Sequence, residues 1–140
     1  MTIVYCDRLE VTLDTGPDLV DISSGLQELV ARSGTRQGSL AATMTGSTGS
    51  LTTIEHEPGV VEDLKRAITA LAPPGQSYQH ELAWHDGNGH SHVQAALMGP
   101  SITLAVREGR LSTGTWQQVV AINHDNRPRT RIIEVTIVGI

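Results

Sequence analysis

The chain has 140 residues, with 15 acidic side chains against 10 basic ones and a formal charge of −5. That length supports one continuous core and not two, and the acidic balance argues against nucleic acid or an anionic membrane as the main partner, since both need a basic face. Cys6 is the sole cysteine and phenylalanine is absent, so no intramolecular disulfide or cysteine zinc site forms and the core must be built from Val, Ile, Leu and Ala. With no charged-then-apolar leader and no apolar run near the ~20 residues that span a bilayer, a soluble cytoplasmic protein is expected.

From Thr2 to Leu13 apolar and polar residues alternate, with Val4 and Cys6 out of phase with Leu9, Val11 and Leu13. The period predicts a strand with a bulge near Asp7-Arg8. Thr15-Gly16-Pro17-Asp18 reads as a helix start, and Leu19, Ile22, Leu26, Leu29 and Val30 then fall on one helical stripe until Gly34. Ser39–Met44 and Ser50–Ile54 read as strands on either side of a glycine-containing turn. A second helix follows Pro58-Gly59, with Val61, Leu64, Ile68 and Leu71 on its inner face, and ends at Pro73-Pro74. Gly75–Gly89 is polar and turn-rich. Ser91–Met98 suits a short helix with His92 in its first turn, and Ile102–Val106, Leu111–Asn123 and Thr130–Val138 complete the strands. Strands outnumber helices and mostly follow one another, which predicts one α+β domain over residues 1–140, with largely antiparallel sheets and about three flanking helices.

The chemistry is expected between Trp84 and Val119, with His80 just upstream. His80, His85, His90 and His92 are four of the six histidines, and imidazole is both the commonest zinc ligand and the side chain that titrates near neutrality. Downstream, Ser101, Leu104, Val106, Gly109 and Gly114-Thr115-Trp116-Gln117 describe a strand, a glycine turn and a second strand, a hairpin presenting its Gly-Thr-Trp-Gln end.

That spacing resembles the signature of the YjbQ-like family, also called secondary thiamine-phosphate synthase enzymes. Ser47–Gly59, Tyr78-Gln79-His80, Asn88-Gly89-His90-Ser91-His92 and Asp125 with Pro128-Arg129-Thr130-Arg131 are similar to that family's motifs, in the same order. The resemblance implies packed β-sheets in a sandwich, a homotrimer and a histidine site for a divalent metal, with zinc as the default. It also implies a weak thiamine-phosphate synthase activity, which joins hydroxymethylpyrimidine pyrophosphate to thiazole phosphate with release of pyrophosphate. Two departures stand out: Gly46-Ser47-Thr48-Gly49 replaces a His-Thr-Ser/Thr-Ala run of many relatives, and Asn123 stands where an acidic residue is usual.

On this reading the phosphorylated substrate meets Arg129 and Arg131, whose guanidinium forks suit phosphate oxygens. Ser47, Thr48 and Ser101 add hydrogen bonds, and Asn88 and Gln117 add polar contacts. His80, His90 and His92 are the candidate metal ligands, with His80 and His92 also placed at the leaving group. Two residues apart, His90 and His92 point the same way on a strand but about 200° apart on a helix, so the set requires a non-helical His90. Glu55 and Asp125 are candidate bases for an alternative, metal-assisted hydrolysis of a phosphorylated small molecule; a non-catalytic trimeric module that binds metabolite or metal is the third reading. The plainer alternatives are loop residues for His85 and His56, packing for Trp116, and a solvated or interface-paired face for the two arginines.

Overall fold

In the computed structural model, which describes residues 1–140, the first alternating stretch is an eleven-residue strand, β1 (Ile3–Leu13). It pairs antiparallel with the last strand, β8 (Arg129–Gly139), in unbroken one-to-one register from Ile3 opposite Gly139 to Leu13 opposite Arg129. The bulge expected at Asp7-Arg8 is therefore absent. Asp7 stays on the inner side because its carboxylate accepts hydrogen bonds from the Tyr5 hydroxyl at 2.7 Å and the Arg8 amide at 2.8 Å. Val4 and Cys6 take the exposed face instead.

A second departure follows at once. Asp18–Asp21 is a short strand, β2, and helix α1 spans only Ser23–Ser33. Leu19 and Ile22 imitate the helical stripe by spacing, but the antiparallel pairing of β2 with β7 (Gln118–Asn123) supplies its backbone partners. Leu26, Leu29 and Val30 do form the buried stripe of α1, which stops at Gly34 with φ 72°. The next elements are β3 (Gln37–Met44), β4 (Gly49–Ile54) and α2 (Pro58–Leu71). The Glu57 carboxylate caps α2 by accepting from the Gly59 and Val60 amides. Val61, Leu64 and Ile68 form the inner stripe of α2 as expected, but it continues to Ala72 at the C-cap, which leaves Leu71 outside at 68 % exposure.

After the short α3 (Glu81–Trp84), helix α4 (Gly89–Met98) begins two residues before Ser91, so His90 is helical. β5 (Ser101–Arg107) pairs with the two-residue β6 (Arg110–Leu111). The expected single strand Leu111–Asn123 is broken by a turn in which the Gln117 amide donates to the Gly114 carbonyl and the Gly114 amide donates to the Gln117 side chain. β7 then crosses to the other sheet, so the Gly-Thr-Trp-Gln segment is a crossover rather than a hairpin tip.

Two antiparallel sheets result, a five-stranded one in the order β1-β8-β3-β5-β6 and a three-stranded one in the order β2-β7-β4. The larger sheet contributes Leu40, Met44, Val106, Ile133, Val135 and Ile137 to a core shared with α1 and with Leu51, Val119 and Ala121 of the smaller sheet. On the smaller sheet's other face Leu19, Val120 and Ile122 pack against Ile68 of α2. β7 is thus buried on both sides, which explains its continuous apolar run. No helix is long and apolar enough to cross a membrane.

Candidate functional site

Two links between the sheets lie at one end of the sandwich. Thr45–Thr48 carries the chain from β3 to β4, and His124–Pro128 carries it from β7 to β8; Gly49 pairs with Asn123 where the two links meet. A pocket of about 400 Å3 opens there, floored by these links and walled on the other side by α3 and the start of α4.

The floor is a buried polar network. Arg131, only 7 % exposed, donates through Nη2 to Thr48 Oγ1 and Asn123 Oδ1, each at 2.6 Å. Thr48 in turn donates to Asp125 Oδ2 at 2.9 Å, and the same oxygen accepts Arg129 Nε at 3.0 Å. Burial by itself would raise the Asp125 carboxyl, but the Thr48 hydrogen bond and the Arg129 charge outweigh it and hold it below the ordinary carboxylate value. Asn123 is fully used: its amide nitrogen donates to the Asp14 and Arg127 carbonyls at 2.7 and 3.1 Å. The guanidinium of Arg131 fits because two side chains are missing. A Cβ on Gly46 would stand 3.0 Å from Nη1, and one on Gly49 would stand 3.2 Å from Nε. Arg131 Nε itself is buried without a hydrogen bond, and the amides of Gly46, Ser47 and Thr48 find no backbone acceptor. Successive free amides beside guanidinium groups form an anion-binding concavity.

The opposite wall comes from one short stretch of chain. His80 and His92 bring their rings to a centroid separation of 4.5 Å, and Trp84, 70 % exposed, lies nearly parallel to His80. Nδ1 of His80 is buried without a hydrogen bond, 3.5 Å from Asp86 Oδ1 and 3.7 Å from Glu81 Oε1. The donor atoms of His80, Glu81 and Asp86 lie within 4.8 Å of one another. An imidazole nitrogen facing two carboxylates has the donor chemistry of a divalent cation site, so the residues present fit such an ion. Glu81 also staples the loop, accepting from the Gly87 amide at 2.8 Å and the Gly89 amide at 3.3 Å. These bonds, the Gly87 one foremost, lower its pKa.

Behind the floor runs a buried relay. The Gln94 amide nitrogen donates to the Ala72 carbonyl at 3.0 Å, so its oxygen faces His124 Nδ1, also at 3.0 Å. This assigns the proton to Nδ1 and leaves Nε2 to accept the Ser50 hydroxyl at 2.7 Å. Burial and the neighbouring Arg131 charge push His124 down to about 4, so the ring is neutral at pH 7.

Of the residues singled out in the sequence, Ser47, Thr48, His80, Asn88, His92, Asp125, Arg129 and Arg131 line the pocket. His90 does not join His80 and His92. Being helical, it turns toward Ser91 Oγ, 3.3 Å from its Nε2, and toward the Tyr78 ring. Glu55 and Gln117 flank the far ends of β4 and β7, about 20 Å from the Gly49–Asn123 pair at the rise of an antiparallel strand. Ser101, exposed at the start of β5, does not line the pocket either. The sequence reading missed Asp86 and Trp84 as wall residues, although both sit in the histidine-rich loop, and the Ser50–His124–Gln94 relay, for which spacing carries no signal.

Residues 7–140 match the family described as UPF0047 protein YjbQ-like. A UPF0047 protein of Methanothermobacter thermautotrophicus is 32 % identical over 136 residues, covering 97 % of this chain and 93 % of its own. One from Archaeoglobus fulgidus is 32 % identical, covering 91 % and 98 %. Among solved structures, a YbjQ-like protein of unknown function from Sulfolobus solfataricus P2 superposes with a TM-score of 0.94 at 33 % identity, over the full length of both chains. A YjbQ/UPF0047 protein of Clostridium acetobutylicum does so with a TM-score of 0.81 at 28 % identity, covering 92 % and 98 %. Matched by the family over residues 7–140 and by these relatives across nearly its whole length, the chain belongs to the YjbQ-like UPF0047 family.

Proposed function

We propose that the pocket binds a phosphorylated small molecule and promotes departure of its phosphate or pyrophosphate, as in a thiamine-phosphate synthase type of transfer. The observation that carries this reading is the buried Arg131 guanidinium, with Arg129 beside it, lining the same pocket as Gly46–Thr48, whose amides have no backbone acceptor. Fixed donors aimed at developing negative charge lower a barrier without reorganising at the moment of reaction. Asp125 and Thr48 are positioning groups here, because they hold the two guanidinium groups at the floor. A divalent cation held by His80, Glu81 and Asp86 would add positive charge at the leaving group. His92, next to His80, contacts the same region and orients the reacting groups.

Hydrolysis is the weaker reading. Its candidate bases do not suit it: Asp125 is engaged by Thr48 and Arg129 with a lowered pKa, and Glu55 is remote. The test is formation of thiamine phosphate from hydroxymethylpyrimidine pyrophosphate and thiazole phosphate, with and without chelator. Turnover that is lost in both His92→Ala and Arg131→Met supports the transfer. Background turnover in all samples, together with no affinity for phosphate or pyrophosphate, refutes it.

A further inference from the structure

Next to the polar chamber lies a second cavity of about 280 Å3. The two share Gly46, Ser47 and His92 as lining residues, so they adjoin each other. Neither rises far above the low end of the roughly 300–1,000 Å3 usual for ligand pockets, whereas together they fall well inside it. The walls of this annex are small and apolar. Ala95 and Ala96 follow His92 by three and four residues on α4, so they continue its face one turn deeper. Gly49 and Pro100 close the rest.

On the side of the annex away from the Gly46–Thr48 amides the backbone carbonyls are already satisfied. The Gly99 carbonyl accepts from the Leu51 amide at 3.2 Å, the Pro100 carbonyl from Met44 at 2.7 Å, and the Ala95 carbonyl from Gly99 at 2.9 Å. Polar side chains are met only at the mouth, at Ser47 and His92. On its other flank the chamber continues into a wholly polar hollow beside Asn126 and Arg127, sharing Asp86, Asn88, Asp125 and Arg129 with it. Polarity therefore falls in one direction along the groove, and the Arg131 fork, 93 % buried with a free Nε beside Gly49, stands at the point where it changes.

We propose that the annex is a subsite for the uncharged ring of a ligand whose phosphate rests on Arg131 and the Gly46–Thr48 amides. The ligand class is the phosphate ester of an aromatic or heteroaromatic group, and Ala96 limits the ring's size. This rests on the phosphate reading above.

Calorimetry with inorganic phosphate and with phenyl phosphate tests it, on the wild-type chain and on Ala96→Leu. Ala96 is exposed and leucine is a good helix former, so the variant keeps the fold. Phenyl phosphate should bind the wild type at least about tenfold more tightly than inorganic phosphate, the gain expected for burying one ring. Ala96→Leu should lose that advantage while its affinity for inorganic phosphate stays within about twofold, since no charged contact changes. Ala96→Ser, which barely fills the annex, should retain most of it. Equal affinities in the wild type, or an advantage that survives Ala96→Leu, would overturn the annex and leave the phosphate site standing. Failure of inorganic phosphate itself to bind would overturn both.

Discussion

The two walls of the pocket are built on different principles. On the floor, Thr48 and Arg131 meet across 83 residues of sequence, and Asp125, Asn123 and Arg129 complete a network seated between two sheets. The facing wall, His80 to His92, is almost contiguous in sequence and rests mostly on local bonds, among them Tyr78 Oη donating to the Pro73 carbonyl and the two amides held by Glu81, while Asn126 ties its loop to the floor, at Asn88 and the Asp86 carbonyl. A network that spans the core opens only with global unfolding, whereas a local loop opens at lower cost. The polar floor is therefore preorganised, and the imidazole wall is the side more free to adjust.

Mutation can break that contrast at the floor first. Arg131→Met leaves Thr48 and Asn123 without their donor and Asp125 less compensated, so unfolding should cost about 3 kcal/mol less, as read by urea denaturation. Phosphate binding should disappear with it. Stability should also fall with acid. His124 has a folded pKa of about 4 against an ordinary 6.5, so between those values the unfolded chain binds more protons and stability drops as pH falls. The full loss across that window is about 3 kcal/mol. His124→Asn should flatten this part of the profile, and an unchanged slope would show that the ring is not held neutral.

Glu81→Gln sharpens the comparison from the other wall. It should speed hydrogen exchange at the Gly87 and Gly89 amides while leaving the global unfolding midpoint and the exchange of β7 unchanged. A parallel rise in β7 would mean that the two walls open together. The smallest effect belongs to Trp116→Ala. The side chain is 74 % exposed and outside the pocket, so stability should shift by no more than about 0.5 kcal/mol and phosphate binding should not change.

What the sequence disclosed follows the range of the interactions. β8 shows period two because one face is core and the other is not, and α1 and α2 show their stripes for the same reason. β2 was hidden because its partner β7 lies about a hundred residues away, and local spacing made Leu19 and Ile22 look helical. His90 was misplaced because the helix start was set at Ser91, although Asn88 is a residue type favoured at an N-cap. Its side chain accepts from the Asn126 amide instead, at 3.2 Å, which no local pattern reveals. Arg129 and Arg131, which both line the pocket, were legible as neighbours on one strand face. Their anchoring by Asn123 and Thr48 was not, since it depends on where two chain crossings meet.

Asn123, His124 and Asp125 send three consecutive side chains into three neighbourhoods: Asn123 to Arg131 and Asp14, His124 to Ser50 and Gln94, and Asp125 to Thr48 and Arg129. His124 and Asp125, each 1 % exposed, leave little room for exchange, because a new side chain there disturbs the core and the site at once. Variation in substrate preference among relatives should accumulate instead on the Gly75–Asp86 stretch and on Ala96, where a new side chain alters the cavity and leaves the scaffold alone. A library diversified at those positions should stay folded far more often than one diversified at residues 123–125.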